Sequence, residues 1–485
     1  MTLLTLPSEL LFHVMEHLRD SRDVHTLQSV ACTCKALREI AEIYLYSTAV
    51  FIKLSSLYEF FDAIRTEPKR KGYLRDLQLL FSTQLYNPGT LSASPPDLAS
   101  FPNLTSLVSE SPECQPSSLK GTHWNEFMDY YLQTFEQASL LNESVGAQKP
   151  LLHLRSLTLH WSGIGSRFWD ITPACSIFLL PQLRSLEISC AAIGQRGYTE
   201  WEPEKLQRFQ RQTQLKSLTF TECTVSIAAL HAILSFPIAL QRLVLCEKFY
   251  HRSNIDWQFA LNDSDAFNCA IAQQARSLEH LHIFRRDEAR ELTLSLSNFP
   301  VLSHLQLGPF LSILNYGLEL PAPPVLQSLR LDEYSISMLQ SQRADRILSD
   351  LSFDELLRNA EARNASFTLD ISLPRRNHYN NQDLRLSVRK PVEKLGNQFR
   401  RRQDASILTH PESRALSRLR ILTNEYRGKI PPFLCGESLP RFFVRYDSQH
   451  PNPFLSDPYT ANILPPGRDI SSDNEGMDVI FSHVA

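Results

Sequence analysis

Apolar residues between positions 3 and 46 recur at the spacing of amphipathic helices. In the first stretch they fall three and four residues apart and predict one wide apolar face, formed by Leu10, Leu11, Val14, Met15 and Leu18. Pro7 is tolerated at the opening of this helix, and two more helices follow, with Asp20, Ser21 and Thr33 as predicted N-cap residues. Three such helices in about forty residues cannot close a core of their own. We therefore expect another chain, or the rest of this one, to cover part of their apolar surface.

A second pattern, Leu-x-x-Leu-x-Leu with conservative apolar replacements, begins at residue 74. Side chains alternate between the two faces of a strand, so the leucines of Leu-x-Leu point to one side and the residue between them to the other. We find nine copies at uneven steps, beginning at residues 74, 104, 154, 183, 215, 240, 278, 302 and 326. The second copy is the weakest, because Ser109 occupies its third apolar position. The pattern predicts short strands stacked in one parallel sheet, with helices at 124–141 and 226–236 between them.

The segments on either side of the repeats have weaker patterns. Residues 49–73 predict a strand and a short helix that cap the sheet, and 367–371 and 416–421 repeat the strand pattern after it fades near 335. Residues 375–402 contain nine Lys or Arg against two acidic residues. We interpret this tract as a solvated insertion, with a nuclear-localisation or phosphate-binding segment as the alternative. Residues 451–485 are rich in Pro, Ser and Asp, which predicts a poorly ordered tail.

The helical stretch resembles the F-box, the motif by which receptor proteins dock on the Skp-type adaptor of a cullin-RING ubiquitin ligase. The resemblance runs through Leu6-Pro7-Ser8-Glu9-Leu10-Leu11, Val14, Leu18, Leu27, Val30, Cys34-Lys35, Ile40-Ala41 and Tyr44-Leu45-Tyr46. Many members carry an aromatic residue where this chain has Leu37. The resemblance implies that the adaptor is contacted by Leu6, Pro7, Leu10, Leu11, Val14, Leu18, Leu27, Val30, Leu37 and Ile40. The alternative is a helical cap that only covers the following domain.

The repeated unit resembles a leucine-rich repeat. The expected fold is therefore α/β: a three-helix F-box module at 1–48, a strand-helix connector at 49–73, and an irregular leucine-rich-repeat solenoid with a curved parallel sheet at 74–335. Irregular C-terminal repeats would follow at 336–450, with the tail at 451–485. By the alternation rule, the candidates for contact with a protein substrate are Thr158, His160, Glu187, Thr219, Arg242, His280, His282, His304, Gln306 and Arg330.

Composition excludes several classes of function. A formal charge of -3 and a pI near 6.6 argue against a protein that grips the nucleic-acid backbone. Nine scattered cysteines, an odd number without zinc-finger spacing, indicate a reducing compartment, the cytosol or nucleus. No run approaches the roughly 18 apolar residues of a membrane span, so we expect no contact with a membrane.

The sequence predicts no catalytic centre and no cofactor. His13, Glu16 and His17 have the H-x-x-E-H spacing of a zinc protease, but they lie beside the apolar face of the first helix and lack a clear third ligand. His280, His282 and His304 raise a metal-assisted or pH-sensitive contact as a minor alternative. The hypothesis is a non-catalytic substrate receptor of an SCF-type ligase. The alternatives are a leucine-rich scaffold without a ligase and, more remotely, a metalloprotease.

Overall fold

The computed structural model describes most of the chain between residues 6 and 460. The described residues are 6–21, 23–51, 54–80, 95–111, 124–141, 149–161, 168–172, 174–194, 203–247, 263–285, 292–308, 316–318, 323–332, 353–363, 365–373, 381–409, 417–425, 441–450 and 453–460. No helix within these ranges is long and apolar enough to cross a membrane.

Three helices form the N-terminal module, as the sequence predicts: α1 (Ser8–Asp20), α2 (Val24–Ala31) and α3 (Lys35–Leu45). Their core contains Leu11, Met15, Leu27, Leu37 and Ala41. The predicted caps were wrong. The side chain of Asp23 caps α2 by accepting from the backbone N–H of Thr26 at 3.0 Å, whereas Asp20 is the last residue of α1. Thr33 does not cap α3, because its hydroxyl donates back to the Val30 carbonyl. The residue directly before α3 is Cys34, which makes no side-chain cap hydrogen bond.

A large and mostly parallel sheet forms the rest of the fold. Its fourteen strands, among the described residues, lie in the order β1-β2-β3-β4-β6-β8-β10-β11-β13-β15-β16-β17-β18-β19. Pairing is parallel from β1 to β17 and antiparallel at β18 and β19. The strands are β1 (Thr48–Phe51), β2 (Asp76–Leu80), β3 (Ser106–Glu110), β4 (Ser156–His160), β6 (Ser185–Ser189), β8 (Ser217–Thr221), β10 (Arg242–Cys246), β11 (His280–Phe284), β13 (His304–Gly308), β15 (Ser328–Leu331), β16 (Thr368–Leu373), β17 (Arg418–Glu425), β18 (Arg441–Asp447) and β19 (Phe454–Thr460).

Two smaller parallel sheets follow the ends of these strands. One contains β5 (Trp169–Ile171), β7 (Ala191–Ile193) and β9 (Thr224–Val225), and the other contains β12 (Leu292–Leu294) and β14 (Tyr316–Leu318). The remaining helices are α4 (Leu54–Thr66), α5 (Trp124–Ala138), α6 (Pro203–Gln207), α7 (Ile227–Ser235), α8 (Ser264–Ala272), α9 (Phe353–Ala362) and α10 (Asn381–Thr409). Short 3-10 turns cover Pro68–Gly72, Leu98–Ser100 and Ser176–Leu179.

Each of the nine predicted repeats forms one strand of the large sheet, which confirms the parallel sheet expected from their spacing. Neighbouring strands pair so that equivalent leucines face each other, as Leu243, Leu281 and Leu305 do. Their side chains are buried in one continuous apolar core. Ser109, the polar exception, is tolerated in this core because its hydroxyl accepts a hydrogen bond from the Trp161 indole at 2.9 Å.

The C-terminal part is more ordered than its composition predicts. Residues 454–460, assigned above to a poorly ordered tail, form β19 and pair with β18; residues 461–485 lie outside the described residues. Much of the basic tract at 375–402 lies in α10, a helix that contains Pro391. Apolar side chains of α10 are buried against the sheet, so the tract is not merely a solvated insertion: Val392, Leu395 and Phe399.

Candidate functional site

The helical module exposes apolar side chains on α1. Leu10 is 48 % exposed and Val14 40 % exposed, and both lie on the same side of the helix because they are four residues apart. Phe12, 39 % exposed, lies on the other side of α1. Half of the large apolar side chains that are exposed within the described ranges therefore belong to this one helix.

The structure divides the ten predicted adaptor contacts into three groups. Leu11, Leu27 and Leu37 are buried in the core of the module, where an incoming protein could not touch them without rearrangement. Leu6, Leu18, Val30 and Ile40 are half-buried at the edge of that core. Pro7, Leu10 and Val14 are exposed. Leu6 and Pro7, just before α1, and Leu10 and Val14 within it are together called the apolar strip of α1. Contact with an adaptor through this strip stays a prediction.

Phe12 was not among the predicted contacts. It lies outside the apolar stripe that marks the core-facing side of α1, so the helical spacing hid it. An aromatic side chain opposite Leu10 and Val14 on the helix was the available signal. Its backbone carbonyl is held by the Tyr44 hydroxyl, which donates to it at 3.1 Å and ties α1 to α3.

A partly buried ion pair joins the module to the sheet. Arg70, in the turn after α4, donates to the Glu42 carboxylate of α3 at 2.6 Å and to the Ala63 carbonyl at 2.9 Å. Its guanidinium also lies over the Tyr46 ring, 4.7 Å from the centroid. Leu45 packs against the cores of both the module and the sheet. The module is therefore fixed to the sheet by packing and by charge.

The residues between the leucines form two rows across the sheet, because the parallel strands are in register. The first row contains Ser106, Ser156, Ser185, Ser217, Arg242, His280, His304, Ser328 and Thr368. The second contains Val108, Thr158, Glu187, Thr219, Val244, His282, Gln306, Arg330, Asp370 and Arg420. Nine of the ten predicted substrate contacts lie in these rows.

Exposure along the rows is uneven. His304 is exposed, and five of the predicted contacts are half-buried: Thr158, Glu187, Arg242, His280 and Gln306. Thr219, His282 and Arg330 are buried, so alternation alone overstated how open this face is.

His160 was placed on the outward face by alternation, but the structure buries it. It is the last residue of β4, where its ring lies 3.9 Å from the Glu110 carboxylate and 3.5 Å from the Cys190 thiol. Cys190 leads directly into β7, so the smaller sheet covers this end of the strands. His160 is thus a packed polar residue and not a surface contact.

A cavity of about 360 Å³ opens in the two rows between β10 and β17. Its charged or titratable lining residues come from six neighbouring strands, and they are Arg242, His280, His282, His304, Arg330, Asp370 and Arg420. The rings of His280 and His304 stack with their centroids 4.3 Å apart. Basic side chains that are far apart along the chain are thereby brought together.

The three cavity histidines are held in their neutral form. Burial, followed by the charges of His304 and Arg242, lowers the pKa of His280 to about 4. Burial also lowers the pKa of His282, where Arg330 and Arg242 add to the effect and Asp332 opposes it. Burial and Arg242 lower the pKa of His304, against a smaller opposing effect of Glu279. At neutral pH the positive charge of the cavity therefore comes from its arginines.

Two acidic residues hold two of the three cavity arginines, Arg420 and Arg330, in place. Arg420 donates to both carboxylate oxygens of Asp370, at 2.7 and 2.6 Å. Arg330 donates to Asp332 at 2.8 Å, and Gln306 donates to the same carboxylate. Burial opposes ionisation of Asp332, but the charge of Arg330 and the contact with His282 outweigh it and hold the pKa of this carboxyl well below its usual value.

The structure does not arrange His13, Glu16 and His17 as a metal site within the described residues. His13 and Glu16 are exposed on α1 with 3.7 Å between ring nitrogen and carboxylate. Across the described ranges, no three His, Cys, Asp or Glu residues are arranged to hold a metal ion.

Comparison with known proteins assigns the N-terminal module to a family. Residues 3–52 match the family model described as F-box-like, which spans α1 to α3 and reaches the end of β1. The chain as a whole has no match among curated proteins. F-box domains are typically non-catalytic modules that bind Skp-type adaptors. Residues 3–52 are thus an F-box-like domain, a type of module that suggests an adaptor role in SCF-type ubiquitin ligases.

Proposed function

We propose that this protein is the substrate-recognition subunit of an SCF-type ubiquitin ligase. The F-box-like domain would dock on the Skp-type adaptor, and the polar rows of the large sheet would hold the protein to be modified. The observation that carries the proposal is the exposed apolar strip of α1, within a domain of the family that binds such adaptors.

The strip has the properties of a surface that is covered in a complex. Exposed apolar side chains gain free energy when another chain removes them from water, at about 25 cal/mol per Å². The polar outer face of α1, which includes Glu9, His13 and Glu16, flanks the strip and would form the rim of such an interface. The buried Leu11, Leu27 and Leu37 would act indirectly, by holding the three helices in place.

The large sheet suits the binding of a protein. We propose that its repeats form an irregular leucine-rich-repeat solenoid, because nine Leu-x-x-Leu-x-Leu copies each supply one parallel strand with leucines inward. The twelve parallel strands within the described residues, at about 4.8 Å spacing, give a face roughly 50 Å long. A face of this length accommodates a folded protein or an extended segment better than a small metabolite.

The joint between the two parts supports a receptor that works by positioning. In the proposed complex the ligase supplies the chemistry, and this chain contributes the effective concentration of its target near the ubiquitin donor. The contacts of Arg70 with Glu42 and Tyr46 hold the F-box-like domain against the sheet, so a bound target keeps a defined orientation.

Complex formation with purified adaptor tests the proposal. The full chain and a Skp-type adaptor should elute together in size-exclusion chromatography, and Leu10→Asp with Val14→Asp should abolish the complex. Leu152→Asp is the matched control, because Leu152 is 49 % exposed but lies next to β4 in the sheet. A leucine-rich scaffold without a ligase predicts no complex for any of these proteins, and that result would remove the proposed function.

A further inference from the structure

We propose that the cavity between β10 and β17 binds an anionic oxygen group, a carboxylate or a phosphoryl group, on an acidic segment of the target protein. The proposal rests on the proposed function, since it names the chemistry of the segment that the sheet would hold. The reasons are the charge of its lining residues, the hydrogen-bonding capacity of His282 and the place of the cavity in the polar rows.

The charge of the lining is positive. Arg242, Arg330 and Arg420 contribute three positive charges and Asp370 one negative charge, while the histidines are neutral. Asp332 and Glu279, beside the cavity, carry one negative charge each. The chain as a whole carries a formal charge of -3, so the lining residues themselves differ from the overall balance. Arginine and neutral imidazole N–H groups are suitable donors to carboxylate and phosphoryl oxygens.

His282 gives independent evidence for a ligand. It is 8 % exposed, and neither of its ring nitrogens has a hydrogen-bond partner within the described part of the chain. The nearer carboxylate oxygen of Asp332 is 3.6 Å from Nε2, beyond hydrogen-bonding distance. A buried polar group without a partner is costly. An oxygen atom placed in the cavity beside His282 would remove that cost.

The cavity belongs to a surface that continues beyond β10. Exposed His304 lies at its opening, and the second row extends past the cavity to Thr219, Glu187 and Thr158. A polypeptide lying along the rows would place one acidic side chain in the cavity and its neighbours over these polar positions. This arrangement favours a group on a protein segment over a free ion.

Peptide binding to the purified full chain, measured with and without a Skp-type adaptor, tests the inference. Fluorescent peptides of equal length would carry a glutamate cluster, a phosphoserine cluster or a glutamine cluster. We expect the first or second to bind at least about tenfold more tightly than the third, with loss of that preference in Arg242→Gln. His304→Gln should also weaken binding of the preferred peptide. Because His304 is exposed, we do not expect its replacement to unfold the sheet, and weaker binding by this variant is then not a result of misfolding. Arg276→Gln removes the same charge at an exposed site outside the cavity and should bind as wild type does.

Several results would overturn the inference. Equal binding of all three peptides would exclude charge recognition, and equal losses in Arg242→Gln and Arg276→Gln would exclude this cavity. If inorganic phosphate displaced the peptides at their own concentrations, the ligand would be a free anion and not a protein segment. Adaptor capture is measured on the same proteins, so failure of the cavity is distinguished from failure of the F-box-like domain.

Discussion

Leu10 and Leu11 are neighbours in the chain, and the structure predicts opposite consequences for their replacement by alanine. Leu10 is 48 % exposed in the apolar strip, whereas Leu11 is 6 % exposed in the core of the module. Leu11→Ala should therefore destabilise the module by about 2 to 5 kcal/mol through loss of buried methylene groups. Leu10→Ala should leave the melting temperature nearly unchanged and weaken adaptor binding.

The size of the binding effect follows from the surface still exposed. Complete burial of a leucine or valine side chain contributes about 1.5 to 3 kcal/mol, so the exposed fraction of Leu10 can add at most about 0.7 to 1.4 kcal/mol on docking. Val14, 40 % exposed, can add about 0.6 to 1.2 kcal/mol. The double variant Leu10→Ala/Val14→Ala should then raise the Kd for the adaptor by up to roughly 10- to 70-fold.

Calorimetric titration of the purified chain with adaptor measures this Kd, and thermal unfolding monitors the fold in parallel. Leu152→Ala is the control, because it truncates an equally exposed leucine outside the module. The reasoning is refuted if the double variant and Leu152→Ala bind the adaptor equally while both melt as wild type does. It is also refuted if Leu11→Ala leaves the stability of the module unchanged.

Three further predictions follow from single contacts. Arg70→Met leaves the buried Glu42 carboxylate without its ion-pair partner and should lower stability by about 1 to 3 kcal/mol, measured by denaturant unfolding. Gly396→Ala would place a methyl group against the Tyr446 hydroxyl and should cost about 1 to 3 kcal/mol, with partial recovery when Tyr446→Phe is added. The pKa of His280 is lowered to about 4 in the folded chain, so as pH falls His280 is protonated first in the unfolded chain, and stability should fall between about pH 6.5 and 4. A His280→Gln variant should show a shallower fall in stability over this range. An identical pH profile for the variant and the wild type would contradict the assignment.

The interpretation of the N-terminal helices shows what a periodic pattern can and cannot predict. Helical spacing predicted three helices and an apolar face, because the spacing of side chains around a helix is a local property. It could not separate Leu11 from Leu10, since both belong to one wide stripe and only the positions of α2 and α3 decide which is covered. The same limit hid Phe12.

The sequence by itself determined the strands of the nine repeats and the inward direction of their leucines, but not the antiparallel β18 and β19. Each Leu-x-x-Leu-x-Leu copy encodes a short strand through alternation, which needs no knowledge of the neighbouring strand. The sequence also determined the F-box-like character of the first helices. Polar ends of strands were misjudged, as at His160, because burial there depends on the separate sheet that contains β5 and β7.

Only the tertiary structure decided that a basic cavity exists. Arg242, His282, Arg330 and Arg420 lie on separate strands, at polar positions of different Leu-x-x-Leu-x-Leu copies that are far apart along the chain. They converge because parallel strands pair in one register, which packing of the leucine core imposes across the whole sheet. The charge and the burial of the cavity residues both depend on distances between neighbouring strands. The spacing of these residues along the chain does not give those distances.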